Sequence, residues 1–345
     1  MADSGPANRP PHVIPYQGSK RRLAPAILPL LPPHRRLFEP CAGSAALSLA
    51  ALAAGRTQHV VLADSYAPLM AIWQAVVETP AELAAGYAAL WHGQSARTDA
   101  ETGAGAGTGA GARAGTGAGA GAGTGAGAGA GTGARAGAGA GAGASDPATF
   151  YLQVRQQFVA EPTPAALLYL LARCVKNAPR WNQRGEFNQS ADRRRLGTRP
   201  AVMAQHIWAA HKLLVGRCTL RTGSLEVTTA DAQPGDVVYL DPPWQGTTEG
   251  RDHRYHQGLA HDTLLDLLAA LQARNVAWLL SYDGEVRDHS GATMQRYGTA
   301  LPQSLRFTTH PLAAGRSAQL TLSGRTGFTT ESLYRFVPTA SDPKR

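Results

Sequence analysis

Residues 36–64, RLFEPCAGSAALSLAALAAGRTQHVVLAD, decide the fold class of this 345-residue chain. The stretch opens with a short apolar run, which predicts a strand, and continues through a turn of small residues at 41–45. The Ala/Leu-rich segment 46–54 predicts a helix that ends at a glycine, and residues 59–64 predict a second strand that ends in an acid. This order of strand, turn, helix, strand and acid is typical of a nucleotide-binding βαβ unit.

The βαβ unit offers two kinds of group to a ligand. Gly43 lies in the turn just before a helix N-terminus, where backbone N–H groups point outward. Glu39 and Asp64 end the two strands, so we expect both carboxylates at one edge of a sheet, in position for a ribose or a cationic ligand. A single glycine is weaker than the three of a dinucleotide fingerprint, so the turn by itself also fits any α/β crossover.

A second motif, Asp241-Pro242-Pro243-Trp244, follows the apolar run at residues 237–240. Because proline fixes φ and has no N–H, the carbonyl groups at this turn lack a local donor. The carboxylate, a carbonyl and the Trp ring together suit a planar amine. Asp-Pro-Pro is also ordinary turn chemistry after a strand, and Trp is often a core residue, so the motif alone leaves both interpretations open.

The positive charge of the chain is concentrated in one segment. The formal net charge is +9, and residues 150–222 hold 12 Lys/Arg against 3 Asp/Glu, whereas the remaining residues hold equal numbers of each sign. Within this segment Trp181 and Phe187 are interleaved with basic and amide side chains, a pattern suited to phosphate and base contacts. The segment therefore predicts nucleic-acid binding, with a solubilising surface as the alternative.

A low-complexity tract separates the βαβ unit from the basic segment. Residues 102–144 are almost wholly Gly and Ala, with some Thr and two Arg. Such a tract has no side chains able to build a core, so we predict a disordered linker over residues 93–148.

Cysteine usage and hydropathy bear on the compartment. The three cysteines are widely spaced, which predicts a reducing compartment. The same spacing predicts a protein without a disulfide framework or a metal site. The N-terminus has no apolar leader segment, and no run approaches the length of a membrane span. We expect a cytoplasmic protein.

Apolar runs on both sides of the basic segment predict a single α/β sheet with an inserted recognition domain. The sheet domain is expected at residues 12–92 and 218–337, and the basic insertion at 149–217. Beyond the βαβ unit, strands are predicted at residues 218–221, 237–240 and 276–282 and near 305–309, 319–322 and 332–336. Helices are predicted at 23–31, 68–77, 150–158, 164–175, 203–214 and 261–273.

Taken in order, the motifs resemble the Dam-like (D12) class of adenine-specific DNA methyltransferases. Members have a segment like Tyr16-Gln17-Gly18-Ser19-Lys20, then a Glu-Pro-Phe-x-Gly-x-Gly cofactor turn, which corresponds here to residues 39–45. Next in the family order come an acid at the end of a strand (here Asp64) and a basic insertion, in which Gly-Glu-Phe-Asn at 185–188 looks like the family's loop. The Asp-Pro-Pro-Tyr/Trp motif comes last. The resemblance covers residues 12–92 and 149–337.

Three departures from the family pattern affect the cofactor site. Ala45 stands where a second glycine is usual, and Cys41 replaces an aromatic residue. Ser224 and Leu225 stand where an Asp-Phe pair would contact the adenine of the cofactor, which puts that contact in question.

The resemblance implies a Rossmann-like S-adenosylmethionine-dependent methyltransferase sheet with an inserted, mainly helical target-recognition domain. It implies methyl transfer from S-adenosylmethionine to the N6 amine of a flipped adenine in double-stranded DNA. The implied catalytic residues are Asp241, Pro242, Pro243 and Trp244; the implied cofactor-binding residues are Tyr16, Gly18, Lys20, Glu39, Gly43 and Asp64; and the implied DNA-binding residues are Arg180, Trp181, Asn188, Arg193, Arg194 and Arg195. We expect a monomer, and the class allows a cognate restriction endonuclease that acts on the same site.

Other functions stay open at this point. Asp-Pro-Pro-Trp also occurs in RNA adenine methylases, so cytosine N4 or adenine in RNA are alternative substrates, although the basic insertion favours duplex DNA. Ala45 and Ser224 would fit a non-catalytic nucleic-acid-binding relative. A cytosine-C5 enzyme with a Pro40-Cys41 nucleophile is disfavoured, because this cysteine belongs to the cofactor turn.

Overall fold

The structure is a computed structural model that describes residues 10–16, 18–95, 146–243, 259–288, 292–316 and 328–339. Trp244, the strand predicted near residues 319–322 and nearly all of the predicted linker lie outside the described residues.

A mixed β-sheet forms the centre of the molecule. The strands are β1 (Arg36–Glu39), β2 (His59–Asp64), β3 (Cys218–Thr222), β4 (Val237–Leu240), β5 (Ala277–Arg287), β6 (Thr293–Tyr297), β7 (Thr308–Arg316) and β8 (Phe328–Phe336). Strands β1 to β5 are parallel, whereas β8 pairs antiparallel with β5 and β7 pairs antiparallel with β8. The strand order is β3-β2-β1-β4-β5-β8-β7, and β6 pairs with the end of β5. The predicted Rossmann-like α/β sheet is confirmed.

The strand order places a topological switch point, where open α/β sheets form a ligand-binding crevice, at the carboxyl ends of β1, β2 and β4. Strand β1 lies between β2 on one side and β4 on the other, so the chain changes direction across the sheet at this point. Ligands of open α/β sheets bind at such a switch point. Because the strands are parallel, Glu39, Asp64 and Asp241 are all placed at the same edge.

Helices cover both faces of the sheet. They are α1 (Ala24–Ile27), α2 (Ala46–Ala53), α3 (Ala67–Glu78), α4 (Pro80–Gly93), α5 (Pro147–Ala160), α6 (Pro164–Arg173), α7 (Pro200–Leu214), α8 (Leu225–Thr228) and α9 (His261–Ala273). Short 3₁₀ turns occur at Lys20–Arg22, Leu28–Leu30 and Val175–Asn177. Several helices have proline in the first turn, where its missing N–H leaves no hydrogen bond unmade.

Several elements differ from the sequence-based expectation. The helix predicted over residues 23–31 ends at Ile27 and continues as a 3₁₀ turn, which contains Pro29, a residue without the N–H that an α-helix needs. The strand predicted near residues 305–309 begins only at Thr308, because Leu305 N–H closes a turn with the carbonyl of Pro302 at 3.1 Å. Helix α4 and strand β6 were not predicted.

The helices of the basic segment share a core with the sheet. Tyr169 of α6 and Met203 of α7 are fully buried in the same hydrophobic cluster as Leu37 of β1 and Leu47 of α2. A second cluster on the other face joins α9 to the sheet. The predicted domain boundaries stay a prediction, but the described part of the insertion packs against the sheet's own helices.

The described chain on either side of the Gly/Ala tract comes close together. Helix α4 ends at Gly93, and an added Cβ there would lie 2.7 Å from the Phe150 ring of α5. The chain therefore leaves α4 and re-enters α5 at neighbouring points. Within the described residues, no helix is both long and apolar enough to cross a membrane.

Candidate active site

The turn between β1 and α2 is fixed by Asp64. The N–H of Gly43 donates to Asp64 Oδ2 at 3.1 Å, and the N–H of Tyr66 donates to Oδ1 at 3.0 Å. Trp73 Nε1 donates to the Gly43 carbonyl at 3.0 Å. Gly43 and Ala45 have φ values of 46° and 48°, in the left-handed region that favours glycine. This conformation explains why the family pattern has glycine at the position of Ala45.

Asp64, predicted to contact a ribose, has a structural role in the turn. Each carboxylate oxygen accepts one backbone N–H and has a second lone pair for a ligand hydroxyl. Burial raises the pKa of Asp64, whereas the hydrogen bonds from Tyr66 and Gly43 lower it. The contact between Asp64 and a ribose stays a prediction, and the free lone pairs of the carboxylate leave room for it.

Glu39 ends β1 and lies beneath the first turn of α2. Its side chain is 4% exposed, and Oε2 accepts the N–H of Ser48 at 3.0 Å. Burial raises the pKa of Glu39 to about 7, the hydrogen bond from Ser48 opposes this shift, and the nearby charge of Asp241 adds to it. Glu39 is thus a poorly solvated carboxylate that a bound cation would stabilise.

Asp241 follows β4 and is paired with Lys20. Lys20 Nζ lies 2.9 Å from Asp241 Oδ1 and 3.3 Å from Oε2 of Glu331, a residue of β8. Burial raises the pKa of Asp241 to about 6, although Lys20 lowers it, and Glu331 raises it further. Lys20, predicted from the resemblance to cover the cofactor, thus lies between the carboxylates of Asp241 and Glu331.

Three carboxylates surround the thiol of Cys41. Burial raises its pKa well above the usual range, and the negative charges of Asp64, Asp241 and Glu39 act in the same direction. A thiol with a raised pKa is a poor nucleophile at neutral pH, which argues against the cytosine-C5 alternative. The concentration of negative charge makes the pocket suitable for a ligand with cationic groups.

The N-terminal segment is joined to the turn at residues 41–45 by a hydrogen bond between two hydroxyl groups. Ser44 Oγ donates to Ser19 Oγ at 2.8 Å, and the N–H of Ser19 donates to the Tyr16 carbonyl at 3.2 Å. Gly18 has a φ of 91°, which permits the sharp bend between these contacts. Tyr16, Gly18 and Lys20 are thereby placed beside the predicted cofactor turn.

Residues 180–188, the predicted recognition loop, form a tight antiparallel turn. The N–H of Asn188 donates to the Arg180 carbonyl at 2.9 Å, and Trp181 bridges to Phe187. Trp181 is only 2% exposed, and its ring packs edge-on against Tyr66 with centroids 5.6 Å apart. The prediction that Trp181 faces DNA is therefore corrected, because its ring lies in the core and supports the loop.

The remaining predicted DNA-binding residues lie nearer the surface. Arg193 and Arg194 are exposed, and Arg180 and Asn188 are half-buried. Arg195 is also exposed and pairs with Asp192, with N–O contacts of 2.8 Å. Arg193, Arg194 and Arg195 are thus the exposed cations of the predicted set, and Arg195 is the one that forms an ion pair with Asp192.

A comparison with protein families decides the class of the chain. The family model described as "D12 class N6 adenine-specific DNA methyltransferase" matches residues 16–101 and 142–311. The chain belongs to this family. A search of curated proteins gave no match.

The matched stretches of this methyltransferase contain the turn at 39–45, Asp64, the recognition loop and Asp241. The interruption of the match spans residues 102–141, in agreement with the expectation that the Gly/Ala tract is foreign to the family pattern. The family assignment favours adenine N6 in DNA over cytosine N4 or RNA.

The two residues that depart from the family's Asp-Phe pair lie beside the predicted cofactor turn. The N–H of Gly223, just before them, donates to the Asp64 carbonyl at 3.2 Å. Ser224 is exposed, and Leu225 packs in the second hydrophobic cluster with Phe38. Leu225 of this methyltransferase thus places an apolar side chain where the family pattern has an aromatic one.

Sequence reasoning missed Glu331 because nothing in its local pattern indicates a site. Strand β8 lies beside β5 only through the long-range order of the sheet, and residue 331 lies beyond the family match. Among the described residues of the methyltransferase, no group of three or more His, Cys, Asp or Glu side chains is arranged to hold a metal ion.

Proposed function

We propose that this enzyme transfers a methyl group from S-adenosylmethionine to the N6 amine of adenine in double-stranded DNA, at the crevice beside Asp241. The observation that carries the proposal is the convergence of Glu39, Asp64 and Asp241 around the turn at Cys41, in a chain of this family.

The charge of the pocket supports the cofactor. S-Adenosylmethionine carries a sulfonium and an ammonium group, and three poorly solvated carboxylates are stabilised by such cations. Glu39, Gly43 and Asp64 would hold it, with Tyr16, Gly18 and Lys20 from the N-terminal segment alongside. When bound, this cofactor supplies a methyl group on a positively charged sulfur; as an amine forms its bond to the methyl carbon, the carbon–sulfur bond would break and the neutral thioether would leave.

Asp241 and the Pro242 carbonyl prepare the amine. The adenine N6 lone pair is conjugated with the ring, so the nitrogen is a weak nucleophile. Two acceptors that bind its two hydrogens favour a pyramidal nitrogen with the lone pair directed at the methyl group. After the N–C bond forms, the nitrogen has a surplus proton, which leaves to Asp241 or to water. An ionised Asp241 is required as acceptor, and it need not act as base beforehand.

The basic segment supplies the DNA contacts in this proposal. Arg193 and Arg194 would contact phosphates, with Arg180, Asn188 and Arg195 as further candidates. Because the N6 amine of a paired adenine is out of reach, the base must be flipped into the crevice, where Trp244 would stack on it. A monomeric state, a cytoplasmic location and a cognate restriction endonuclease remain predictions from the sequence.

A panel of methyl acceptors tests the proposed substrate. Labelled S-adenosylmethionine is incubated with genomic duplex DNA, the same DNA premethylated at adenine, a duplex of only G and C, and RNA, and the nucleosides are then separated. The expected product is N6-methyladenine in the unmethylated duplex alone. Label only in cytosine or RNA would contradict the proposal, and absent cofactor binding by calorimetry would favour the non-catalytic alternative.

A further inference from the structure

The ammonium group of Lys20 is shared by two acids, one that follows β4 and one in β8, the strands on either side of β5. It contacts Asp241 Oδ1 at 2.9 Å and Glu331 Oε2 at 3.3 Å. All three side chains are largely covered, with exposed fractions of 7% for Lys20, 20% for Asp241 and 14% for Glu331. Charges with so little water around them depend on one another for stabilisation.

The surroundings of Asp241 are otherwise acidic. The titratable groups that face it are Lys20, Glu331, Glu39, Cys41 and Tyr239, and Lys20 is the cation in this set of described residues. One ammonium group therefore offsets the acidic surroundings of Asp241 and contacts one of its two carboxylate oxygens.

Glu331 is the rigid member of the three. Strand β8 lies between β5 and β7, where Glu331 pairs in register with Gly284 on one side and Leu312 on the other. Lys20 instead belongs to a short 3₁₀ turn and has a long, flexible side chain. A carboxylate on a central strand is therefore well placed to fix the end of that side chain.

We propose that Glu331 is a positioning residue for methyl transfer. It anchors the Lys20 ammonium group at Asp241 Oδ1, and this contact fixes the rotation of the Asp241 carboxylate so that its second oxygen accepts the substrate amine. The inference rests on the proposed function, because it takes Asp241 to be the amine acceptor. It adds a residue from β8, which lies beyond the part of the chain that the family model matches.

The single variants Glu331→Gln and Lys20→Met have effects of opposite sign on the acid side of the pH profile. Without Lys20, Asp241 loses the cation that lowers its pKa, so kcat falls off at a higher pH than in the wild type. Without the Glu331 charge, which raises the pKa of Asp241, the fall-off moves to lower pH. In both variants the plateau kcat should drop by about 10-fold or more, because the carboxylate is no longer held in place.

A double-mutant cycle tests whether Glu331 acts through Lys20. In a Lys20→Met background, Glu331→Gln should cause no further loss of plateau kcat. The matched control is Glu285→Gln, which removes a carboxylate of β5 that pairs with Arg287 and should leave kcat and its pH profile unchanged. Melting temperature, and the Kd for S-adenosylmethionine from calorimetry, are measured for every variant. If Lys20→Met does not fold, Lys20→Gln takes its place in the cycle.

The outcomes separate this inference from the proposed function. A Glu331→Gln enzyme with a lower melting temperature but a wild-type plateau kcat and pH profile would show a purely structural ion pair and overturn the inference. An equal further loss in the Lys20→Met background would overturn it as well. If Asp241→Asn itself retains wild-type turnover, the proposed function fails first.

Discussion

Two effects act in opposite directions on the ionisation of Asp241: burial opposes it, and the nearby Lys20 ammonium group favours it. Burial raises its pKa to about 6 and the Lys20 ammonium group resists this rise. The carboxylate is therefore ionised at neutral pH, which is the form that can accept an amine N–H. Turnover should therefore depend on pH through the ionisation of this one residue.

We expect kcat to fall as the pH drops through the pKa of Asp241. The ionised form is active, so activity is present above about 6 and lost below it, by up to about 10-fold per pH unit. A cationic cofactor bound nearby would lower this pKa, so the acid limb of the kcat–pH profile, where kcat falls, should lie at or below pH 6. The measurement is kcat at saturating cofactor and DNA, with DNA binding at the same pH values as the control. An acid limb above pH 7 would be inconsistent with this account.

The predicted recognition loop and the residues that follow it include both buried and exposed side chains. Trp181 and Phe187 are buried under the loop, while the cations that follow in sequence at Arg193 and Arg194 are exposed. Substitutions at these two kinds of position should therefore have different effects.

Trp181→Ala is expected to destabilise the fold, whereas Arg193→Ala with Arg194→Ala is expected to weaken DNA binding without changing stability. Loss of the buried ring leaves a cavity and should lower the free energy of unfolding by about 3–5 kcal/mol. Loss of two phosphate contacts should reduce the slope of log Kd against log salt by about 2. Denaturant unfolding and salt-dependent DNA binding are the measurements. A Trp181→Ala variant of wild-type stability would show that the ring is not a core residue.

The sequence predicted those elements whose signals are local. Strands β1, β2 and β4 are apolar runs with clear boundaries, and the turn at 41–45 is marked by its small residues. The burial of Trp181 depends on Tyr66, and the approach of Glu331 to Lys20 depends on the order of the strands. Neither contact has a signature in the residues around it, so neither could be predicted.

At the scale of the whole molecule, the basic segment is part of one packed body with the sheet. Its helices share a hydrophobic cluster with β1 and α2, so the surface predicted to contact DNA is packed onto the same core as the strand end that precedes Asp241. The Gly/Ala tract, in contrast, connects helices α4 and α5 at points that are already close, as the contact of Gly93 with Phe150 shows.

Replacing residues 102–141 by a short Gly-Ser linker should leave folding and methyl transfer nearly intact. The family match omits these residues, and the flanking helices meet without them. Loop shortening of this extent changes the entropy of closure by only about 1 kcal/mol. Thermal unfolding and initial rates of methyl transfer are compared with the full chain. A loss of cooperative unfolding would show that the tract has a structural role.

The most direct test of the central claim is labelled-methyl transfer to unmethylated duplex DNA by the wild type and by Asp241→Asn. This substitution preserves the shape of the side chain and removes the negative charge that accepts the amine. The account predicts N6-methyladenine from the wild type and a loss of at least about 100-fold in kcat from Asp241→Asn, with similar binding of DNA and cofactor. Turnover by Asp241→Asn at the wild-type rate would contradict it.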